Sequence, residues 1–404
     1  MPVWSWVWRL MLATLLVLPL MSRHAGAQGV LDAGFDPQAN GTVNEVVVQA
    51  DGKTIIVGAF STVAGQARNN IARINADGSL DMGFNPDANG IIQSVVIVGG
   101  TVYVGGAFTN IGGQVRNRIA ALDGATGLAT AWNPNANTTV NSIAVVGSTV
   151  YVGGAFTSIG GQARNRIAAL DAATGLATAW NPNANTFVNS IAVVGSTVYA
   201  GGAFTSIGGQ TRNRIAALDA ATGLATAWDP NANNGVNSIA AVGSTVYAGG
   251  VFSGIGGQTR NRIAALDAAT GLATAWDPNA NNAVNSIAAV GSTVYVGGAF
   301  TSIGGQPRNR IAALDGTTGL ATSWDPDANS AVNSIATVGS TVYVGGAFTT
   351  ISGQARNRIA RFAPAAAPGG TVASVPTLSA GGLVLLAGLV AAFALAVSRK
   401  GNQR

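Results

Sequence analysis

The stretch from Val140 to Phe187, VNSIAVVGSTVYVGGAFTSIGGQARNRIAALDAATGLATAWNPNANTF, recurs from Val188 to Gly235 with only five of its 48 positions changed. The changed pairs are Val152/Ala200, Ala163/Thr211, Asn181/Asp229, Thr186/Asn234 and Phe187/Gly235. A fixed period of this length marks a repeat architecture, in which each unit is one supersecondary block unable to bury its apolar surface alone.

Inside the unit, apolar and β-branched runs alternate with Gly, Asn and Pro at the spacing of strands and turns, and no stretch has helical periodicity. The pattern predicts four strands: Asn141 to Val146, Thr149 to Phe156, Arg166 to Asp171 and Leu176 to Trp180. Gly147-Ser148 reads as a two-residue hairpin connection and Ala172-Ala173-Thr174-Gly175 as a four-residue turn. The other two connections, TSIGGQARN and NPNANTF, are longer. Runs such as IAVV and IAAL, apolar at successive positions, suit sheets covered on both faces.

Counting the units addresses how the array ends. The first-strand position falls at Val43, Ile92, Val140, Val188, Val236, Val284 and Val332, and the fourth-strand aromatic at Phe35, Phe84, Trp132, Trp180, Trp228, Trp276 and Trp324. The two series are out of phase, because the chain opens with a lone fourth strand, Leu31 to Pro37, and its last unit stops after the third strand. The expectation is an all-β, seven-bladed β-propeller of four-stranded blades, closed by the N-terminal strand so that no sheet edge is left unpaired at the chain ends. An open solenoid would instead need polar caps and would leave Leu31 to Pro37 without a purpose.

The flanks have other compositions. Met1 to Ala27 carries Arg9, the apolar run Leu10 to Met21 and an Ala25-Gly26-Ala27 cleavage site, the pattern of a secretory signal. Gln28 to Ala363 is the expected propeller and 364–374 an Ala/Pro/Gly/Ser linker. From Val375, 23 uncharged residues precede Ser398, enough for one membrane-spanning helix, and Arg399, Lys400 and Arg404 predict a cytoplasmic end.

The first unit, FDPQANGTVNEVVVQADGKTIIVGAF followed by RNNIARINADGSLDMGF, resembles the delta-60 repeat, a bacterial extracellular β-propeller repeat, over roughly Leu31 to Phe362. Later units depart from it, with GSTVYVGG in place of the DGK turn; the kelch repeat is a more distant likeness. The resemblance implies a propeller outside the cytoplasm and no defined reaction. The tail, VPTLS followed by an apolar run and a basic end, resembles the IPTL-CTERM sorting signal, which implies an exosortase-type enzyme as a partner. It has Ala380-Gly381-Gly382 where that signal usually has an acid, tryptophan and glycine. A plain membrane anchor is the simpler reading of the same residues.

The formal charge of +5 misleads about the body of the chain. Two of the 21 Lys and Arg lie in the signal and three in the tail, leaving 16 against 16 acids. Lys53 is the propeller's one lysine and its arginines are spread around the repeats, so no nucleic-acid footprint is expected. Cys is absent and the one histidine, His24, sits in the signal, which removes the usual general base, thiolate and His/Cys metal ligands. No cofactor, metal or catalytic residue is therefore assigned. Paired carboxylates could still hydrolyse a glycoside, but acids such as Asp171 and Asp219 repeat in register, and Glu45 is the one glutamate.

Three repeated features could bind. NPNAN and DPNAN loops offer oxygen ligands for calcium or, more simply, self-capped turns. Arginine pairs such as Arg164/Arg166 could grip acidic ligands or serve loop and interblade bonds, and the tryptophans could stack on sugars or pack between blades. Four antiparallel strands place the two long connections together on one face of the disc and the two short turns, with little side-chain surface, on the other. Residues that vary between copies sit in the long loops, so the expected ligand face includes Arg164, Arg212, Arg260, Phe187 and Asn183. The functional expectation is an exported, surface-sorted binding or adhesion module for glycans or envelope and biofilm matrix, not an enzyme. An extracellular carboxylate hydrolase and a passive coat protein are the alternatives.

Overall fold

The computed structural model describes residues 29–364; the expected signal (1–27) and the expected membrane-spanning stretch (375–397) lie outside them. All regular structure among the described residues is β, in a propeller-like arrangement of sheets. Seven antiparallel sheets among these residues begin with the inner strands Thr42–Val48, Ile92–Val98, Val140–Val146, Val188–Val194, Val236–Val242, Val284–Val290 and Val332–Val338.

The third sheet represents the rest. Its inner strand pairs with Thr149–Gly154, which pairs with Ile167–Asp171. The inner strand is fully buried only at Val140 and Ile143, whereas the next two are buried almost continuously. A bulge between Val140 and Ser142 turns Asn141 and Ser142 toward the neighbouring sheet. The double glycine has a steric cause. A Cβ on Gly153 would lie 2.7 Å from Val188 of the next sheet, and one on Gly154 would lie 2.3 Å from the Thr139 carbonyl.

The fourth strand differs from expectation. Leu176 to Trp180 makes one bridge, Leu170 with Ala177, flanked by Asp171 N–H to Leu176 O and Thr178 N–H to Ala169 O, both 2.9 Å. It goes no further because the long second connection folds back on it as a small hairpin, Ser158–Ile159 with Gln162–Ala163. Ala177 N–H donates to Gly160 O at 3.0 Å, and Gly160 N–H to Pro134 O at 2.7 Å. The outer edge is covered by the blade's own loop instead of by a longer strand.

Each core lies between successive sheets. Trp132, Tyr103 and Ala136 of the second sheet's unit pack with Val140, Ile143, Val152 and Phe156 of the third. Side chains also stitch the inner strands together. Ser142 Oγ accepts Ile191 N–H at 3.0 Å, and Asn141 Nδ2 donates to Val188 O at 3.4 Å. The same bonds run from the last sheet to the first: Val46 N–H to Ser334 Oγ at 3.1 Å and Asn333 Nδ2 to Val43 O at 3.4 Å. Val30–Leu31 pairs with Ala363 and Phe362 as a fourth strand of the last sheet.

Candidate functional site

The long connections meet at the boundaries between sheets through a side-chain network written into NPNAN and RNR. Asn137 Oδ1 accepts Thr157 N–H at 2.9 Å and Ser158 N–H at 3.2 Å, while its Nδ2 donates to Thr157 Oγ1 at 2.7 Å. One asparagine thus caps the start of the next unit's hairpin. Asn117 Nδ2 donates to Asn135 Oδ1 at 2.8 Å, tying two loops of one unit across the face. Between these ties lies a cleft of about 330 Å³ lined by Thr109, Asn117, Arg118, Asn135, Ala136, Asn137 and Ser158. The repeat reproduces the same ties at later boundaries, as in Asn165 to Asn183 at 2.7 Å and Asn213 to Asn231 at 2.8 Å.

The cleft is held by unusual backbone. Arg118 has φ +66° and Asn135 +54°, and the equivalents Arg166, Arg214, Arg262, Asn183, Asn231 and Asn279 are also left-handed. Asparagine tolerates this region, whereas arginine is strained there, and such strain persists only where surrounding bonds fix it. Here they do: Arg118 N–H donates to Phe108 O at 2.9 Å and its Nη1 to the same carbonyl at 3.1 Å.

The expected site residues are distributed along this face unequally. Asn183 is exposed in the left-handed turn and accepts the Asn165 amide, and Phe187 is 48% exposed at the inner end of the same loop. Arg164, Arg212 and Arg260 lie at the outer end, already engaged. Arg164 donates from Nη1 to Ala163 O at 2.8 Å and from Nη2 to Thr178 O at 2.6 Å, and the other two repeat the pattern. Arg212 and Arg260 also approach Asp229 and Asp277 at 3.7 Å, within their own units. Their side chains are only 13% and 12% exposed, so they hold the outer edge, with little surface turned to solvent. The second arginine of each RNR and the NPNAN asparagines were noted from sequence as possible ligand groups, but their part in shaping this cleft, and the Asn117 position, were not. Their only signal there was strict recurrence.

The tryptophans among the described residues do not reach this surface. Trp132 is 5% exposed, stacks edge-on with Tyr103 at 5.3 Å, and donates Nε1 to Asp171 O of the next unit at 3.0 Å. Repeat-equivalent acids also serve turns: Asp171 Oδ1 accepts the Thr174 O–H and N–H, which hold its carboxyl below the usual range. Glu45 stands apart, at the position where the other inner strands carry serine. Burial pushes its carboxyl up to about 7, against the opposing bonds from Val95 N–H, at 2.6 Å, and Ser94. Among the described residues no group of three His, Cys, Asp or Glu side chains could hold a metal.

The comparisons with known proteins agree with this architecture. The family model of a domain of unknown function, the DUF5122 beta-propeller, matches residues 49–84, 100–123, 196–220, 293–315 and 341–365. An IPTL-CTERM motif matches 373–404. No curated protein matches. Among solved structures the chain is similar to the WD40 beta propeller domain of Doa1, with TM-score 0.56, 13% identity, and 82% of this chain and 96% of that one covered. It is also similar to the computationally designed Ika8 protein, with TM-score 0.52, 13% identity, and 81% and 98% covered. A third likeness is to the extracellular domain of the putative one component system BT4673 from B. thetaiotaomicron, with TM-score 0.56, 15% identity and 83% of this chain covered, but only 40% of that one. At these identities the likeness speaks for fold alone. The sorting motif marks an exported surface protein, and the chain carries delta-60-like repeats of the DUF5122 beta-propeller kind ahead of that motif.

Proposed function

We propose that the chain is a closed seven-bladed propeller that binds carbohydrate through its long-loop face, without catalysis, at the cell surface. Closure is supported by the strand Val30–Leu31 on Ala363 and Phe362 and by the serine and asparagine bonds from the last inner strand to the first. An exosortase-type enzyme acting on the 373–404 motif is the proposed sorting partner.

The observation that carries the binding reading is the cleft lined by Asn117, Arg118, Asn135 and Asn137. Amides and guanidinium groups supply both donors and acceptors to vicinal hydroxyls, and strained backbone at a surface cleft points to a binding role. Phe187 adds an exposed aromatic face on the same side of the disc, suited to stacking on a sugar ring. Repetition around the ring makes the binding multivalent, so weak single sites add through effective concentration. The test is retention of the full chain on insoluble polysaccharides, parent against Asn117→Ala, Asn165→Ala and Asn213→Ala combined. The triple variant should bind at least tenfold more weakly while its tryptophan emission is unchanged. Equal retention, or no retention of the parent on any polysaccharide, refutes the carbohydrate reading.

A further inference from the structure

The short turns were expected to offer little side-chain surface, but their flanks do offer it. Val146, which pairs with Thr149 across Gly147-Ser148, is 48% exposed, and its equivalents every 48 residues from Val98 to Val338 are between 41% and 52% exposed. Leu176, just after the Asp171 turn, is 60% exposed, and its equivalents from Leu128 to Leu320 are 60% or 61%. An inner circle of valines and an outer circle of leucines therefore mark the short-turn side. Exposed apolar side chains repeated on one side of every unit are more than singly scattered surface residues and point to a contact with a protein or a membrane.

Where the chain leaves the sheets selects between those partners. Phe362 pairs with Val342, which puts Ala363 beside Thr341 and the Gly339-Ser340 turn, on the same side as the valines. Val30 pairs with Ala363, so the chain also enters there. From Ala365 to Ser374 is ten residues, at most roughly 35 Å of extended chain, before the 23 uncharged residues from Val375. The aspartates of the Asp171 series stand in the same turns and keep their charge, because hydrogen bonds from threonine lower their titration. Such a surface would be repelled by an anionic bilayer.

We infer that the short-turn face docks on a zwitterionic lipid surface, with the valines and leucines at the headgroup boundary and the long loops turned away from it. The chain has no cysteine, so a single introduced one labels cleanly. The full chain, reconstituted into phosphatidylcholine vesicles, would carry an environment-sensitive fluorophore at Leu176→Cys or, on the other face, at Asn183→Cys. The Leu176→Cys probe should emit to the blue and be quenched by acyl-chain nitroxide at least twofold more than the Asn183→Cys probe. Adding Val146→Ser, Val194→Ser and Val242→Ser should remove that difference with the tryptophan emission unchanged, and anionic phosphatidylglycerol should reduce it. Equal quenching at the two positions overturns the inference. So does a blue shift that ignores the lipid nitroxide and grows with protein density, which would assign the face to a second copy.

Discussion

The boundaries between blades are built in two chemistries. At five of them, a tryptophan from one unit stacks edge-on with that unit's tyrosine and donates Nε1 to a carbonyl ahead of it. For Trp180 the partners are Tyr151, at 5.3 Å, and Asp219 O, at 3.0 Å. At the boundary after the first sheet, Phe84 replaces tryptophan, and Ile56 and Arg73 stand where the second sheet has Tyr103 and Ala121. Arg73 lies 4.3 Å over the Phe84 ring, binds Asp81 at 2.9 Å, and donates to the Gly124 and Ala125 carbonyls of the next unit. The last sheet repeats the arginine, ring and acid with Arg361, Phe35 and Asp32 but keeps Tyr343 edge-on to Phe35 at 5.9 Å, and Arg361 donates to Ala76 O at 2.7 Å. Both versions put an aromatic ring in the gap and a donor on the next unit's turn. What the geometry requires is that donor and that ring; the residue types can change together.

The comparison predicts unequal costs of breaking each boundary. Trp180→Ala should cost the most, about 3–5 kcal/mol in urea unfolding, because it removes a buried ring and strands the Asp219 carbonyl. Arg73→Ala should cost about 3 kcal/mol, since Asp81 is left largely buried with only Lys53, at 3.0 Å, to pair with it. If Arg73→Ala were neutral, the charged boundary would be ornament and the equivalence would fail.

A smaller effect separates the first sheet from the rest by pH. Glu45 titrates near 4.5 when unfolded and near 7 in the fold, so the fold holds the proton more tightly. Its stability contribution is full below 4.5 and is lost as pH rises through 7. The unfolding free energy should therefore fall across that window, by at most about 3 kcal/mol, and Glu45→Gln should flatten the decline. The turn aspartates do not blur this result, because theirs are displaced below 3.8. A decline that persists in the Glu45→Gln chain would place its origin elsewhere.

The parts legible in the sequence are those fixed by period and local sterics. The inner, second and third strands, the short turns and the phase offset between Phe35 and Val43 follow from β-branched runs, paired glycines and counting. The long connections were not legible in detail, because their conformation is set by bonds to residues far along the chain. The sequence leaves Arg164 open between gripping a ligand and bonding its own loops, and only the fold shows its guanidinium closing on Thr178 O, 14 residues away. Leu176 to Trp180 reads as a strand, yet the Gly160 hairpin takes the Ala177 amide and halts the ladder. The left-handed φ of Arg166, which shapes the cleft, runs against arginine's own preference and leaves no mark in composition. The exposed valines and leucines were hidden by the opposite error, since an apolar residue beside a turn looks like core until the fold leaves it uncovered.

Closure by the N-terminal strand is the claim on which the ring, its two faces and the exit of the chain all depend. A chain with no cysteine allows a direct test through Val30→Cys with Ala363→Cys, two residues paired across antiparallel strands at a separation a disulfide can span. Oxidation should give one intramolecular cross-link and stabilise the chain by up to about 6 kcal/mol, the chain-entropy scale for closing a loop of this length. Failure to cross-link, or cross-linking only between chains, would contradict a propeller closed by its own first strand.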